Sequence, residues 1–157
     1  MQQREQPVAV YLDVCCLNRP FDDQTQERIR DETRAVYNIL LRVRRRELAW
    51  ISSAIVDREV RETPERRRRT RVQRFIRFLA GTHIEFDDTV EQRARELGLL
   101  GFDPADALHL ACAERGGAEL FFTVDDRLVR RAARVADALH LKVQNPRAWV
   151  AQQEGSA

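Results

Sequence analysis

Four acidic side chains fall where a divalent cation could gather them: Asp13, Glu59, Asp106 and Asp125. Asp13 ends the apolar run Val8-Ala9-Val10-Tyr11-Leu12, and Asp125 follows the run Leu120-Phe121-Phe122-Thr123-Val124. Asp106 lies in the first turn of a helix opening at Asp103-Pro104, and Glu59 sits in the helix after a second strand. Open parallel α/β sheets bind ligands at the C-terminal ends of their strands, near a topological switch point. The four acids are therefore expected on one edge. Carboxylates crowded together repel one another strongly. A hard cation relieves that repulsion, and an all-oxygen ligand set suits Mg²⁺ or Mn²⁺ rather than zinc.

Each acid also has a purely structural explanation. Asp125 can cap the helix it precedes, and Asp103-Pro104-Ala105-Asp106 has the spacing of a capping box. Glu59 can be a solvated helix residue. Asp126 and Asp103 are the nearest rivals to Asp125 and Asp106. Asp13 is harder to dismiss, because it stands among apolar residues and a buried ionised acid needs a partner. His109, one turn after Asp106, is expected to be a satisfied structural histidine, with a hydrogen bond to Asp106 as the alternative.

The elements that must position these groups are legible from periodicity. Strands are predicted at residues 8–12, 48–52, 84–86, 120–124 and 142–144. Helices are predicted at residues 24–45, 53–62, 64–80, from 88 or 89 to 97, 103–115 and 125–139, with a terminal helical turn from Asn145-Pro146 and a frayed tail over residues 152–157. A loop is expected from Asp13 to Asp23. Strands alternating with helices make an α/β protein with a parallel sheet.

The chain has 157 residues and a formal net charge of +2, from 27 basic and 25 acidic side chains. That length suits a single domain. Lys142 is the only lysine, so any lysine-dependent chemistry has one candidate. The three cysteines, Cys15, Cys16 and Cys112, have no metal-ligand spacing and read as reduced, buried residues of a cytoplasmic protein. No signal-peptide pattern or membrane-length apolar run is present. The near-neutral charge hides a separation. Nine arginines and three glutamates lie between Arg58 and Arg77. On the helix predicted there, Arg67, Arg71 and Arg74 oppose Val72, Phe75, Ile76 and Leu79. This is either a phosphate-binding stripe or a solvated face.

Taken together, Tyr11-Leu12-Asp13, Glu59, Asp106-Ala107-Leu108-His109-Leu110-Ala111 and Thr123-Val124-Asp125 resemble the PIN-domain nucleases, the family that includes the VapC-like toxins of VapBC toxin–antitoxin systems. The order and spacing fit along residues 8–150, within one domain over residues 1–157. The stretch Leu12-Asp13-Val14-Cys15-Cys16-Leu17-Asn18-Arg19-Pro20 looks like a distinct subgroup. Cys15 stands where the usual motif has a small polar residue, and Asn18 is the candidate to replace that residue's contact.

The resemblance implies a three-layer α/β/α fold with a central, mainly parallel sheet of about five strands. It implies a Mg²⁺- or Mn²⁺-dependent ribonuclease with one or two ions held by Asp13, Asp106 and Asp125. Glu59 would position an ion or the attacking water, and Thr123 would orient Asp125 or a water. It also implies an RNA substrate, a small antitoxin partner and a homodimer. Two rivals differ in class. A haloacid dehalogenase-like phosphatase needs Asp-x-Asp after the first strand and a lysine, whereas this chain offers Cys15 and only Lys142. A non-catalytic RNA- or protein-binding module of the same fold is the other.

Overall fold

The computed structural model describes residues 5–155. Its strands form one five-stranded sheet in the order β3-β2-β1-β4-β5. They are β1 (Val8–Leu12), β2 (Leu48–Ser53), β3 (Thr82–Ile84), β4 (Leu120–Phe122) and β5 (Lys142–Gln144), and every pairing is parallel. Eight α-helices among the described residues connect and flank them: α1 (Val14–Asn18), α2 (Glu27–Arg44), α3 (Ala54–Arg61), α4 (Arg66–Leu79), α5 (Asp88–Leu99), α6 (Pro104–Arg115), α7 (Asp126–Arg134) and α8 (Pro146–Gly155). Val10, Tyr11 and Leu12 alternate faces along β1, yet all three are fully buried. Both faces of the sheet are therefore covered, giving three α/β/α layers. The chain winds outward from β1 through β2 to β3, then returns to add β4 and β5 on the other side. The switch point lies between β1 and β4, where Leu12 pairs with Phe122.

Several boundaries differ from the sequence expectation, each for a local reason. The predicted loop after β1 contains α1 and a 3₁₀ turn, Arg19–Phe21. The Asp13 carbonyl accepts from the Cys16 and Leu17 amides, and this turn buries Val14, Cys16 and Leu17. β3 spans Thr82–Ile84 rather than residues 84–86. Its partner β2 ends at Ser53, opposite Ile84, because Ser53 caps α3 through a bond from the Val56 amide. Thr63 does not start α4. Its hydroxyl donates to the Glu59 carbonyl at the end of α3, and α4 begins at Arg66.

α5 begins at Asp88 as expected, with Asp87 capping it by accepting from the Val90 amide, and it runs on to Leu99. α7 ends at Arg134, where Val135 leaves helical geometry, and a 3₁₀ turn follows over Ala136–Ala138. The tail is not frayed from Gln152 within the described residues. α8 continues to Gly155, buries Trp149 and Val150, and Gln144 donates to the Gln152 side chain. Residues 156–157 lie outside the described residues, as do Met1 to Arg4 of the polar start.

Candidate active site

The site is built where β1 and β4 end side by side. Asp13 is the first residue beyond β1, and its amide donates to the Phe122 carbonyl of β4 at 2.9 Å. Although it occupies the N-cap position of α1, its side chain makes no capping bond. The buried carboxylate instead accepts, at Oδ2, from the Thr123 hydroxyl at 2.9 Å and the Cys15 thiol at 3.4 Å. Thr123 thus orients Asp13, not the Asp125 side chain. Its hydroxyl oxygen accepts from the Asp125 amide at 3.1 Å. Cys15 makes the polar contact assigned to Asn18, whose side chain has no hydrogen bond among the described residues. The helical turn of α1 explains this, since it faces Cys15 back toward Asp13 while burying Cys16.

Asp125 is the N-cap of α7, and its Oδ1 accepts from the Arg127 and Leu128 amides. The capping explanation is therefore correct for Asp125, yet it occupies only one carboxylate oxygen. Glu59 stands in α3 with Oε1 2.7 Å from His109 Nε2. Behind it runs a buried chain: His109 Nδ1 lies 2.7 Å from the Tyr11 hydroxyl, which lies 2.7 Å from Ser53 Oγ. His109 is thus the satisfied histidine expected from the sequence, but its carboxylate partner is Glu59, not Asp106. Burial disfavours charge on its ring, but the Glu59 bond together with Asp13 and Asp106 outweighs burial and raises its pKa above 6.5.

Asp106 is half-buried in the first turn of α6. Its pKa is raised from 3.8 to about 6, first by burial and then by Asp13, Asp125 and Asp103. No capping box forms, because the Asp103 side chain makes no cap bond. Asp103, Asp106 and Asp125 instead line one cleft of about 260 Å³. Asp126 is drawn away from this group. It forms a bidentate pair with Arg28 at 2.7 and 2.8 Å, and that guanidinium lowers its pKa. Arg67, Arg71 and Arg74 are exposed along α4, and none of them lines the acid cleft.

Two neighbouring groups result. Asp13, Glu59 and His109 offer ligand atoms within 4.8 Å of one another. Asp103, Asp106 and Asp125 share the cleft, and Asp13 is close enough to both groups to perturb His109 and Asp106. Asp13, Glu59 and Asp125 each use one oxygen for scaffolding and keep the other free of hydrogen bonds among the described residues. Asp106 keeps both. Free carboxylate oxygens gathered around Asp106, whose ionisation its surroundings oppose, are the donor set a hard divalent cation fits. His109's pairing with Glu59 was missed from the sequence, since 50 residues separate them.

A family model described as PIN domain matches residues 10–141. Two solved structures are similar in fold. One is FitAB bound to an IR36 DNA fragment, 19% identical with a TM-score of 0.58, covering 88% of this chain and 95% of that one. The other is VapBC2 from Rickettsia felis bound to a DNA fragment from their promoter, 15% identical with a TM-score of 0.58, covering 88% of this chain and 98% of that one. No curated protein matches the chain.

Proposed function

The chain belongs to the PIN-domain family, and on that premise we propose that it is a metal-dependent phosphodiesterase, specifically a ribonuclease using Mg²⁺ or Mn²⁺. The observation that carries this reading is the gathering of acids at one sheet edge, where burial first, and then Asp13, Asp125 and Asp103, push the Asp106 carboxyl up to about 6. Asp13, Asp106 and Asp125 would hold one or two ions. When bound, the cation supplies neutralisation of phosphate charge and a more acidic water. Thr123 and Cys15 fix one oxygen of Asp13 and leave Oδ1 for a ligand. Glu59, held through Oε1 by His109, keeps Oε2 to position an ion or the attacking water. Arg67, Arg71 and Arg74 give a basic surface to a passing RNA backbone.

The partner reading follows the neighbours named FitAB and VapBC2. A small antitoxin-like protein would bind the nuclease, which would act as a cytoplasmic homodimer. No helix among the described residues is long and apolar enough to cross a membrane. The test is cleavage of mixed RNA by wild type and Asp13→Asn, with Mg²⁺, Mn²⁺ or EDTA. Wild type should cut with metal alone, and Asp13→Asn should not. Activity that survives both EDTA and the substitution refutes the mechanism.

A further inference from the structure

The acid cleft has a second wall that the acids do not explain. Arg127, Arg130, Arg131 and Arg134 line it together with Asp106 and Asp125. All four belong to α7, and their spacing puts them on one face. Leu128 and Ala132 on the opposite face are buried, so the helix turns its arginines outward as a unit. All four side chains are exposed. None forms a salt bridge within 4 Å among the described residues, whereas Arg28 on α2 and Arg93 on α5 are both tied to carboxylates.

Stability does not account for the pattern. Arg131 and Arg134 suit the negative end of the helix dipole, but Arg127 stands in the first turn, where the dipole opposes it. Arg131 is also seated rather than free. Its guanidinium lies over Gly101, where an added Cβ would meet Nη1 at 2.5 Å. Gly101 has φ +97, a conformation that favours glycine, and the Arg131 guanidinium rests beside it at the cleft.

We propose that the α7 arginine ridge is the phosphate-binding wall of the site, gripping the backbone of a single-stranded RNA beside the bond presented to the acids. Alternating walls of guanidinium and carboxylate match a strand whose flanking phosphates need cations and whose reacting phosphate needs the acid-held metal. The proposal rests on the ribonuclease reading. It gives α7 a closer role than α4, whose arginines lie outside the cleft.

The test uses fluorescence anisotropy with a labelled random RNA of about 12 nucleotides, in EDTA so that nothing is cut, over a range of salt. Wild type is compared with the combined variant Arg127→Gln, Arg130→Gln, Arg131→Gln and Arg134→Gln, and with Arg67→Gln, Arg71→Gln and Arg74→Gln. Each lost phosphate contact lowers the slope of log K against log salt by about 0.7. The ridge variant should lose about 2–3 in slope and at least roughly tenfold in affinity near 0.1 M salt, with unchanged circular dichroism. The α4 variant should change less. If wild type binds and cuts RNA and the ridge variant does both equally well, the ridge proposal alone is overturned. A wild type that neither binds nor cuts RNA overturns the ribonuclease reading and the ridge with it. Tighter binding of a glutamate-rich peptide than of RNA, lost in the ridge variant, makes α7 a protein-docking surface and also overturns the proposal.

Discussion

Removing Asp106 should stabilise the metal-free protein. The group ionises at about 6 in the folded chain, against 3.8 for an ordinary aspartate. A raised acid favours the folded state only while it is protonated. As pH climbs from near 4 to above 6, the unfolded chain ionises freely and the folded chain does so at a cost. The gap of about 2 in pKa corresponds to about 3 kcal/mol at 1.36 kcal/mol per pKa step. Asp106 is only half-buried, and solvent screening reduces this to about 1–2 kcal/mol. Asp106 has no hydrogen bond to lose among the described residues, so Asp106→Asn removes the cost without breaking a contact.

The assay is urea and thermal unfolding in EDTA. At about pH 7.5 the variant should be about 1–2 kcal/mol more stable and melt about 2–8 °C higher. Near pH 4 the two proteins should converge. Mg²⁺ should raise the wild-type midpoint and move the variant much less, because ligand binding stabilises the state that binds it. A variant that is less stable at about pH 7.5, or whose advantage persists undiminished near pH 4, refutes the argument that burying Asp106 among other acids destabilises this edge.

Three further outcomes are expected. Tyr11→Phe removes the hydroxyl between His109 and Ser53 and should cost about 2 kcal/mol in urea unfolding, since it leaves a buried imidazole nitrogen without its partner; a loss below about 0.5 kcal/mol would mean the chain is not maintained in solution. Arg46 holds φ 62 just beyond α2, so Arg46→Gly should raise stability by about 0.5–1 kcal/mol and the melting temperature with it. In timed alkylation read by peptide mass spectrometry, half-buried Cys15 should react before buried Cys16 and Cys112. Burial pushes the Cys112 thiol up to about 11, which keeps it protonated at neutral pH; equal labelling of all three would contradict the fold around α1 and α6.

The parts legible in the sequence were those with strong local signals. The continuous apolar run of β1 announced a strand buried on both faces, and Asp13 and Asp125 were placed by strand ends alone. Glu59's partner was not legible, because the contact depends on how α3 and α6 pack against each other. Cys15 was misjudged for a related reason. An extended loop points adjacent cysteines apart, whereas the single turn of α1 returns Cys15 to Asp13. β3 slipped because an edge strand takes its length from its only neighbour, and β2 stops when Ser53 is needed as a cap. The α7 arginines stand at helical spacing, but the basic run of α4 is denser. Only the cleft distinguishes them.

The pairing of Leu12 with Phe122, and the Thr123 bond to Asp13, also order events during synthesis. Asp13 is made early but acquires its Thr123 donor only after some 110 further residues have been added. Contacts so distant in sequence form late and slowly. A growing chain on the ribosome therefore carries its first acid without the strand that seats it. The cleft is assembled only after Thr123 and Asp125 have been made, so any chemistry it performs is withheld from the messenger RNA encoding it until that point in translation.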